Sequence, residues 1–358
     1  MKHIKQLLIG TQFLSILLGF FLIQTAYASG AKVSVAMPFS YVPPVMRDMI
    51  IKSQESDESD RVLVRRGVLV TIPNAVATVV ICHGFMCDKY DAGFLRTFFP
   101  NNQFNFLTFD FRAHGDVSDG QCCTFGFHEA FDVIAAVRSL KALKECKDKP
   151  VYVYGFSMGA VAAIEAQARD SSLFDAMILD CPFDSSENIL KRSIECIKLS
   201  VCGYEFSMPG RSLLCRYAFH PYVQSFVKIL LKTASHMDTK KVQTYICPLS
   251  PAESVKKISI PCFFIHCKND EKISVESIKL VFEGAAGYKW LWLTNGRRHY
   301  DSIFYNPERY SAYIGQFLTK VMQTNGVRMP IAAHIIEDED DVIASDVSFP
   351  LSSIPLLE

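Results

Sequence analysis

The sequence predicts an α/β fold with a mostly parallel central sheet and helices on both faces. Apolar segments with the length and residue content of strands alternate with helical patterns. Such alternation is typical of a parallel sheet, because each crossover lays a helix on one face. Polar residues of catalytic type follow several of the strands, at the edge where an open sheet gathers its site. Strands are predicted at about 62–72, 77–82, 104–110, 150–155, 174–180, 260–266 and 288–293, and helices at about 91–99, 129–144, 158–169, 274–284 and 306–323.

Length and composition fit one domain that carries an insert. The chain has 358 residues, and apolar residues make up 49% of it, enough to fill a large core. We predict the α/β domain over residues 60–323, after an N-terminal extension at 29–59. Residues 184–250 interrupt the alternation with amphipathic segments.

A serine between two glycines stands at a predicted strand-to-helix turn. The strand at 151–154 leads into Gly155-Phe156-Ser157-Met158-Gly159, and a small-residue helical pattern follows. In so tight a turn, side chains two residues before and after the serine would collide, and glycine at both positions removes the Cβ atoms. The pattern indicates a nucleophile elbow with Ser157 as nucleophile; an ordinary turn serine is the alternative.

A serine hydroxyl needs a general base and a carboxylate that orients the base. In an elbow architecture both follow the serine in the chain, the carboxylate first. The apolar strand near 261–266 runs into a polar loop that ends in Asp270, the predicted orienting carboxylate. The alternatives are a solvated loop residue at this position and two rival acids after the preceding strand, Asp180 and Asp184.

His299 is the predicted general base, which then acts as the acid. It follows the last predicted strand, at the same edge of the sheet as Ser157 and Asp270. His266 lies inside an apolar strand and is predicted to pack in the core. His220 and His236 fall in the irregular middle segment, where no strand end presents them.

Two backbone amides are predicted to stabilise an oxyanion. One belongs to Met158, the residue after the nucleophile, and the other to the loop after an early strand. That strand, at 76–82, ends in His83-Gly84-Phe85, and Phe85 or its neighbour is the predicted second donor. Gly84 permits the turn, and His83 is predicted to be a structural hydrogen-bonding residue beneath the site.

These residues resemble the α/β-hydrolase superfamily, and most closely its serine-aminopeptidase-like branch, which also contains acyl-protein thioesterases and depalmitoylases. The resemblance spans residues 60–323 and rests on six motifs. They are His83-Gly84, Asp110-Phe111-Arg112-Ala113-His114-Gly115, Gly126-Phe127-His128-Glu129-Ala130-Phe131-Asp132-Val133, the elbow, Pro261 through Asp270, and His299.

The resemblance implies an α/β-hydrolase fold with a cap. Asp110 and Arg112 would end a core strand and brace the elbow, while Glu129 and Asp132 open a helix. The insert at 184–250 would form a helical substrate cap, with extra scaffold as the alternative. One departure is Cys267, where relatives commonly have glycine.

The expected reaction is hydrolysis of a carboxylic ester or thioester of an acyl or lipophilic substrate, through an acyl-enzyme. A peptidase or aminopeptidase is the alternative, and so is a non-catalytic binding module on the same fold. No phosphate loop, zinc-spaced Cys and His cluster or dinucleotide motif is present, so we expect neither cofactor nor metal. The net charge of zero favours no nucleic-acid partner.

The N-terminus predicts export. Lys2 and Lys5 precede an apolar run from Leu7 to Ile23, and an Ala-x-Ala sequence ends at Ala28. This pattern is typical of a signal peptide at 1–28 that is cleaved to give a periplasmic or secreted protein. An uncleaved segment that anchors the chain at a membrane is the alternative.

An exported chain with an even number of cysteines, twelve, predicts disulfides in its less regular stretches. Cys82, Cys181 and Cys262, in or beside apolar strands, are equally well interpreted as buried thiols. Residues 324–358 are acidic and interrupted by prolines, and they predict a flexible tail, with a recognition signal as the alternative. The predicted disulfide partners are Cys87, Cys122, Cys123, Cys196, Cys202, Cys215 and Cys247.

Overall fold

A nine-stranded sheet forms the centre of the fold in the computed structural model. The strand order across the sheet is β1-β2-β4-β3-β5-β6-β9-β10-β11; β1 pairs antiparallel with β2 and β2 with β4, and all other pairs are parallel. The fold class predicted from the sequence is confirmed. The sheet strands are β1 (Val45–Ser56), β2 (Ser59–Thr71), β3 (Ala77–Cys82), β4 (Phe104–Phe109), β5 (Val151–Phe156), β6 (Ala176–Asp180), β9 (Cys262–Cys267), β10 (Lys289–Thr294) and β11 (Ala333–Glu337), and β7 (Lys198–Val201) and β8 (Tyr204–Ser207) form a separate hairpin.

Helices connect the strands and cover both faces of the sheet. The helices are α1 (Glu129–Lys141), α2 (Met158–Arg169), α3 (Ser186–Glu195), α4 (Arg211–Arg216), α5 (Pro251–Ser254), α6 (Val275–Gly284), α7 (Ser302–Tyr305) and α8 (Pro307–Gln323), with 3₁₀ turns at Gly93–Phe98 and Val255–Lys257. Asn306 caps α8 by accepting the N–H of Arg309 on its side chain, and Pro307 occupies the first turn, where no partner for its nitrogen is needed.

The structure describes residues 44–100, 103–115, 120–195, 198–201, 204–207, 211–217, 219–220, 222–223, 242–324 and 329–338. The predicted signal peptide, part of the predicted cap and the acidic end of the predicted tail lie outside these ranges. Within them, no helix combines the length and the apolar character needed to cross a membrane.

The core lies in two layers because the central strands are apolar on both sides. On β3, Val80 and Cys82 point into one layer, which α1, α2 and α6 complete, while Val79 and Ile81 point into the other, which α8 completes. All six residues of β3 and of β5 are buried. This rigid centre holds the loops at the carboxyl ends of β5, β9 and β10.

The sheet extends beyond the predicted domain at both ends, which corrects the boundaries of 60–323. Strand β1 lies in the segment predicted as an N-terminal extension and pairs with β2 from Val45 to Ser56. Strand β11 lies in the segment predicted as a flexible tail and pairs with β10. Both are edge strands, and their exposed residues outnumber the buried ones. A strand buried on one side at most carries a weak apolar signal, so the sequence missed both.

The predicted disulfides are wrong for every predicted partner whose side chain the structure describes. Cys87, Cys122, Cys123 and Cys247 are all free thiols. Cys123 is fully buried and packs its sulfur 3.3 Å from the sulfur of Met158, so it serves as a core residue. Cys196, Cys202 and Cys215 lie outside the side chains that the structure describes.

Candidate active site

Ser157 stands at a sharp turn between β5 and α2. Its backbone has φ 53° and ψ −121°, a conformation that strains any residue with a Cβ. A Cβ on Gly155 would lie 2.7 Å from the Gly159 carbonyl oxygen, and one on Gly159 would lie 2.1 Å from the Cys82 carbonyl oxygen. Glycine is therefore required on both sides, as the elbow motif predicts, and the turn lifts Ser157 above the carboxyl edge of the sheet.

A chain of hydrogen bonds links Ser157, His299 and Asp270. The Nε2 atom of His299 lies 2.8 Å from Ser157 Oγ, and its Nδ1 atom lies 2.7 Å from Asp270 Oδ2. A neutral ring that donates from Nδ1 to the carboxylate accepts the serine proton at Nε2. The structure thus brings together three side chains that are 113 and 29 residues apart in sequence, in the order that the elbow architecture requires.

The Asp270 carboxylate is fixed by its own loop. Its Oδ1 atom accepts the backbone N–H groups of Lys272 at 2.8 Å and Ile273 at 3.0 Å, which leaves Oδ2 for His299. Burial acts to raise the pKa of Asp270, but the hydrogen bond and charge of His299 and the Ile273 amide outweigh it and hold that pKa below its usual value. The carboxylate is thereby kept ionised and aimed at the imidazole.

The two predicted oxyanion donors, Phe85 and Met158, have backbone amides without an acceptor among the described residues. The next amide, that of Met86, is already used, because it donates to His114 Nε2 at 3.2 Å. Phe85 therefore remains the available donor of this loop, and Met158 has a free N–H because it begins α2.

Comparisons with known proteins find similarity to hydrolases and esterases. A family model described as serine aminopeptidase, S33, matches residues 73–200. The esterase Pf2001 of Pyrococcus furiosus aligns with 77% of this chain and 93% of its own, with a TM-score of 0.56 and 23% identity. Est1E from Butyrivibrio proteoclasticus aligns with 77% of this chain and 99% of its own, with a TM-score of 0.50 and 14% identity.

The chain has the α/β-hydrolase fold. The chain is also 28% identical, over 242 residues, to the uncharacterized protein YqkD of Bacillus subtilis (strain 168). That alignment spans 67% of this chain and 70% of the relative.

The two rival acids, Asp180 and Asp184, have other partners. Asp180 is fully buried at the end of β6 and accepts the hydroxyl of Tyr310 at 2.7 Å. Burial raises the pKa of Asp180 to about 7, although hydrogen bonds from Tyr310 and Cys181 act against this. The side chain of Asp184 accepts from the amide of Asn188. The structure records no contact between either carboxylate and His299.

His266 is buried, as predicted for a core histidine, and its Nε2 lies 3.2 Å from the Ile273 carbonyl oxygen. Burial lowers its pKa to about 4, so the ring is neutral and donates to that carbonyl. It therefore tethers the loop that carries Asp270. His220 is exposed, and His236 lies outside the described residues.

His83 is buried beneath the oxyanion loop, where the sequence places it. Its Nδ1 donates to the Gly84 carbonyl oxygen at 2.8 Å, and its Nε2 accepts the N–H of Phe111 at 3.1 Å. Burial lowers the pKa of His83 to about 3, so it stays neutral. The Phe156 ring fills the space beside Gly84, where a Cβ would lie 2.6 Å from the ring.

Asp110 and Arg112 brace the loops around the elbow, and not the elbow itself. Asp110 accepts both the N–H and the ammonium of Lys89, at 2.8 and 2.7 Å. The Arg112 guanidinium binds the Asp132 carboxylate, and both side chains are fully buried. Glu129, on the first turn of α1, accepts two backbone N–H groups of the preceding loop. Each carboxylate thus closes a loop whose backbone would otherwise lack partners.

Neither Lys89 nor His114 was assigned a role from the sequence. The Lys89 and Asp110 pair joins residues 21 positions apart, and His114 joins Met86 over 28 positions. The signal available for His114 was its place in the Asp110 to Gly115 motif. No local sequence pattern indicates a role for Lys89, because only tertiary packing brings it to its partner.

Proposed function

We propose that this chain is a serine hydrolase that cleaves a carboxylic ester or thioester through an acyl-enzyme on Ser157. The observation that carries the proposal is the hydrogen-bonded chain from Ser157 Oγ through His299 to Asp270, seated on an elbow that exposes the hydroxyl. A serine, a base and an orienting carboxylate in this geometry are the parts that acyl transfer needs.

His299 performs both proton transfers. Its Nε2 takes the Ser157 proton as the hydroxyl oxygen attacks the acyl carbonyl, and Asp270 stabilises the imidazolium that forms. The backbone amides of Phe85 and Met158 hold the oxyanion of the tetrahedral intermediate. His299 then protonates the leaving alcohol or thiol. Water, activated by the same nitrogen, attacks the acyl-enzyme and restores the serine.

An apolar cluster beside the site supports a lipophilic acyl group as substrate. Val161 lies one turn after Ser157 in α2, and Ile273 is in the loop of Asp270. Phe125 packs on this cluster and also stacks against Phe85, with ring centroids 4.8 Å apart. The site is thus apolar on the side shared by the serine and the acid. The cluster comprises Val161, Phe183 and Ile273, with Phe125, Ile189 and Leu249 packed against it.

Labelling with a fluorophosphonate probe tests the proposal. We expect one covalent adduct per chain, on the peptide that carries Ser157, and none in Ser157→Ala. Ser172→Ala, which changes an exposed serine in a loop at the opposite edge of the sheet, is the matched control and should label fully. A folded wild-type chain that does not label would show a non-catalytic module on the same fold.

A substrate panel separates ester and thioester hydrolysis from the second candidate, peptidase activity. The match to the serine aminopeptidase model favours that candidate. We expect acyl esters and acyl thioesters to be cleaved with a kcat/KM that rises with acyl length, and aminoacyl amides to be cleaved slowly. Preferred cleavage of aminoacyl amides would assign the chain as a peptidase.

We also propose that the hydrolase acts outside the cytosol. The support is the basic start, apolar run and Ala-x-Ala sequence of residues 1–28. Intact-mass analysis of the protein exported by its own signal should give Ser29 as the first residue. A chain that still carries Met1 in the membrane fraction would indicate the uncleaved anchor.

A further inference from the structure

Cys181 lies close to the pair formed by Asp270 and His299. Strand β6 ends at Asp180, and the chain turns at Cys181 through a left-handed backbone conformation with φ 43°. One ligand atom from each of Cys181, Asp270 and His299 lies within 4.8 Å of the others. The Cys181 thiol is buried and has no part in the proposed reaction.

A thiol, a carboxylate and an imidazole form a typical ligand set for zinc. Bonds of about 2.3 Å to sulfur and about 2.0 Å to nitrogen place the ligand atoms of a tetrahedral zinc ion about 3.3–3.6 Å apart. The separations in this cluster run from 2.7 Å, between His299 Nδ1 and Asp270 Oδ2, to at most 4.8 Å. The upper limit exceeds the required spacing by less than about 1.5 Å, so side-chain movements of that size bring the three atoms to zinc-binding distances.

Two carboxyl groups, those of Asp180 and Asp270, act on the Cys181 thiol. Burial, and after it these two carboxyl groups, raises the pKa of the thiol well above its usual value. The same groups attract a divalent cation, and a thiol that coordinates such a cation loses its proton. The side chain of His299 is 15% exposed, which gives an ion a route from solvent.

We propose that Cys181, Asp270 and His299 form a binding site for a thiophilic divalent cation such as Zn²⁺, and that the bound ion inhibits the hydrolase. The site belongs to the resting enzyme and is not a cofactor site, because the ion takes the residues that the proposed reaction uses. Three protein ligands leave a fourth position for water.

Inhibition follows from the proton balance. Binding releases one proton, from the Cys181 thiol, to solvent. The imidazole of His299 stays neutral: if Nε2 binds the ion, that nitrogen is no longer a base, and if Nδ1 binds it, the ring proton moves to Nε2. In either case Nε2 cannot accept the Ser157 proton, so acylation stops.

Cadmium titration of the reduced, metal-free full-length chain tests binding without any assay of activity. The ultraviolet absorption of the cadmium–thiolate bond should rise with added cadmium and reach saturation. Cys181→Ser and Cys181→Ala should each weaken the affinity for cadmium by about 10- to 100-fold or more. Cys247→Ser, which removes a half-buried thiol outside the cluster, is the matched control and should bind as wild type does. Unchanged binding in both Cys181 variants, or no absorption in wild type, would overturn the proposal.

Inhibition is measured separately and rests on the proposed function. Zn²⁺ should inhibit ester hydrolysis by the wild type, a chelator should restore it, and each Cys181 variant should need at least about tenfold more Zn²⁺ for half inhibition. A protein that binds cadmium through Cys181 but hydrolyses nothing would refute the proposed function and leave the metal site standing. Equal zinc inhibition of wild type and of Cys181→Ser would refute the inhibitory role.

Discussion

Asp270→Asn is the most informative single change, because the structure fixes how the new amide must lie. Asp270 Oδ1 accepts two backbone N–H groups, from Lys272 and Ile273, at 2.8 and 3.0 Å. The asparagine oxygen takes that position, since an NH₂ group there would face two donors. The NH₂ group then points at His299 Nδ1, now 2.7 Å from Oδ2, and donates to it.

This reversal holds His299 in the wrong tautomer. With Nδ1 accepting from the amide, the ring proton sits on Nε2, which can no longer accept the Ser157 proton. The equivalent change in a serine protease triad lowers kcat by about 10⁴-fold, and we expect a loss of that order here, about 5 kcal/mol of activation free energy. Stability should change little, because both loop hydrogen bonds are retained.

The assay is kcat/KM for an activated acyl ester, measured with the melting temperature of each variant. Asp180→Asn is the control: Asp180 was the rival acid in the sequence, it is buried, and its partner is Tyr310. Asp180→Asn should lower kcat/KM by less than about tenfold, since the structure gives Asp180 no contact with His299. An Asp270→Asn enzyme within tenfold of wild type would refute the assignment, and a large loss in Asp180→Asn alone would move the role to β6.

Three further changes test strain, packing and a buried charge. Ser157→Gly should abolish turnover, yet its melting temperature by calorimetry should exceed that of Ser157→Ala. The reason is that φ 53° strains a residue with a Cβ by about 1–3 kcal/mol. Equal melting temperatures would show that the elbow is not strained. Gly159→Ala should lower the free energy of unfolding in urea by at least about 3 kcal/mol, since its Cβ would meet the Cys82 carbonyl oxygen at 2.1 Å. Gly93→Ala is the control and should be neutral, because a Cβ there has nothing within 4 Å. Similar urea midpoints for the two variants would refute the clash. Burial raises the pKa of Asp180 to about 7, so the native state binds more protons than the unfolded chain between about pH 4 and pH 7. As pH rises through that window, Asp180 therefore lowers the free energy of unfolding, by on the order of 4 kcal/mol. The free energy of unfolding of Asp180→Asn should decline less steeply with pH in that window. A decline identical to that of wild type would contradict the raised pKa of Asp180.

The features that the sequence predicted are those with local causes. The elbow is a motif of five consecutive residues. Glycine at 155 avoids a clash with the Gly159 carbonyl oxygen inside the turn, and glycine at 159 avoids the Cys82 carbonyl oxygen at the end of β3. The central strands were predicted because burial on both faces leaves an unbroken apolar run, as in β3 and β5. Asp270 and His299 were found from their places after strands, since parallel strands bring their carboxyl ends to one edge.

The features that the sequence missed depend on distant partners or on weak burial. Strands β1 and β11 bury little, so their composition resembles that of a linker or tail. The disulfide prediction relied on the export signal and an even count of cysteines, yet the count carries no geometry, and Cys123 proved to be a packing residue beside Met158. The approach of Cys181 to Asp270 and His299 is a product of the strand order, which puts β6 beside β9.

The missed strand β1 bears on the site through a connected set of contacts. The Arg112 guanidinium donates to the Gln54 and Glu55 carbonyl oxygens of β1, at 3.0 and 2.7 Å. The Arg112 carbonyl oxygen in turn accepts from His114 Nδ1 at 2.9 Å, and His114 Nε2 accepts the N–H of Met86. That last bond commits the Met86 amide and leaves the preceding amide, that of Phe85, for an oxyanion. A chain cut at the predicted boundary of residue 60 would keep every residue of the proposed reaction, yet it would lose the carbonyl acceptors that hold Arg112. The buried guanidinium would then lack two partners, a condition that costs several kcal/mol, so the edge hairpin is part of what the site requires.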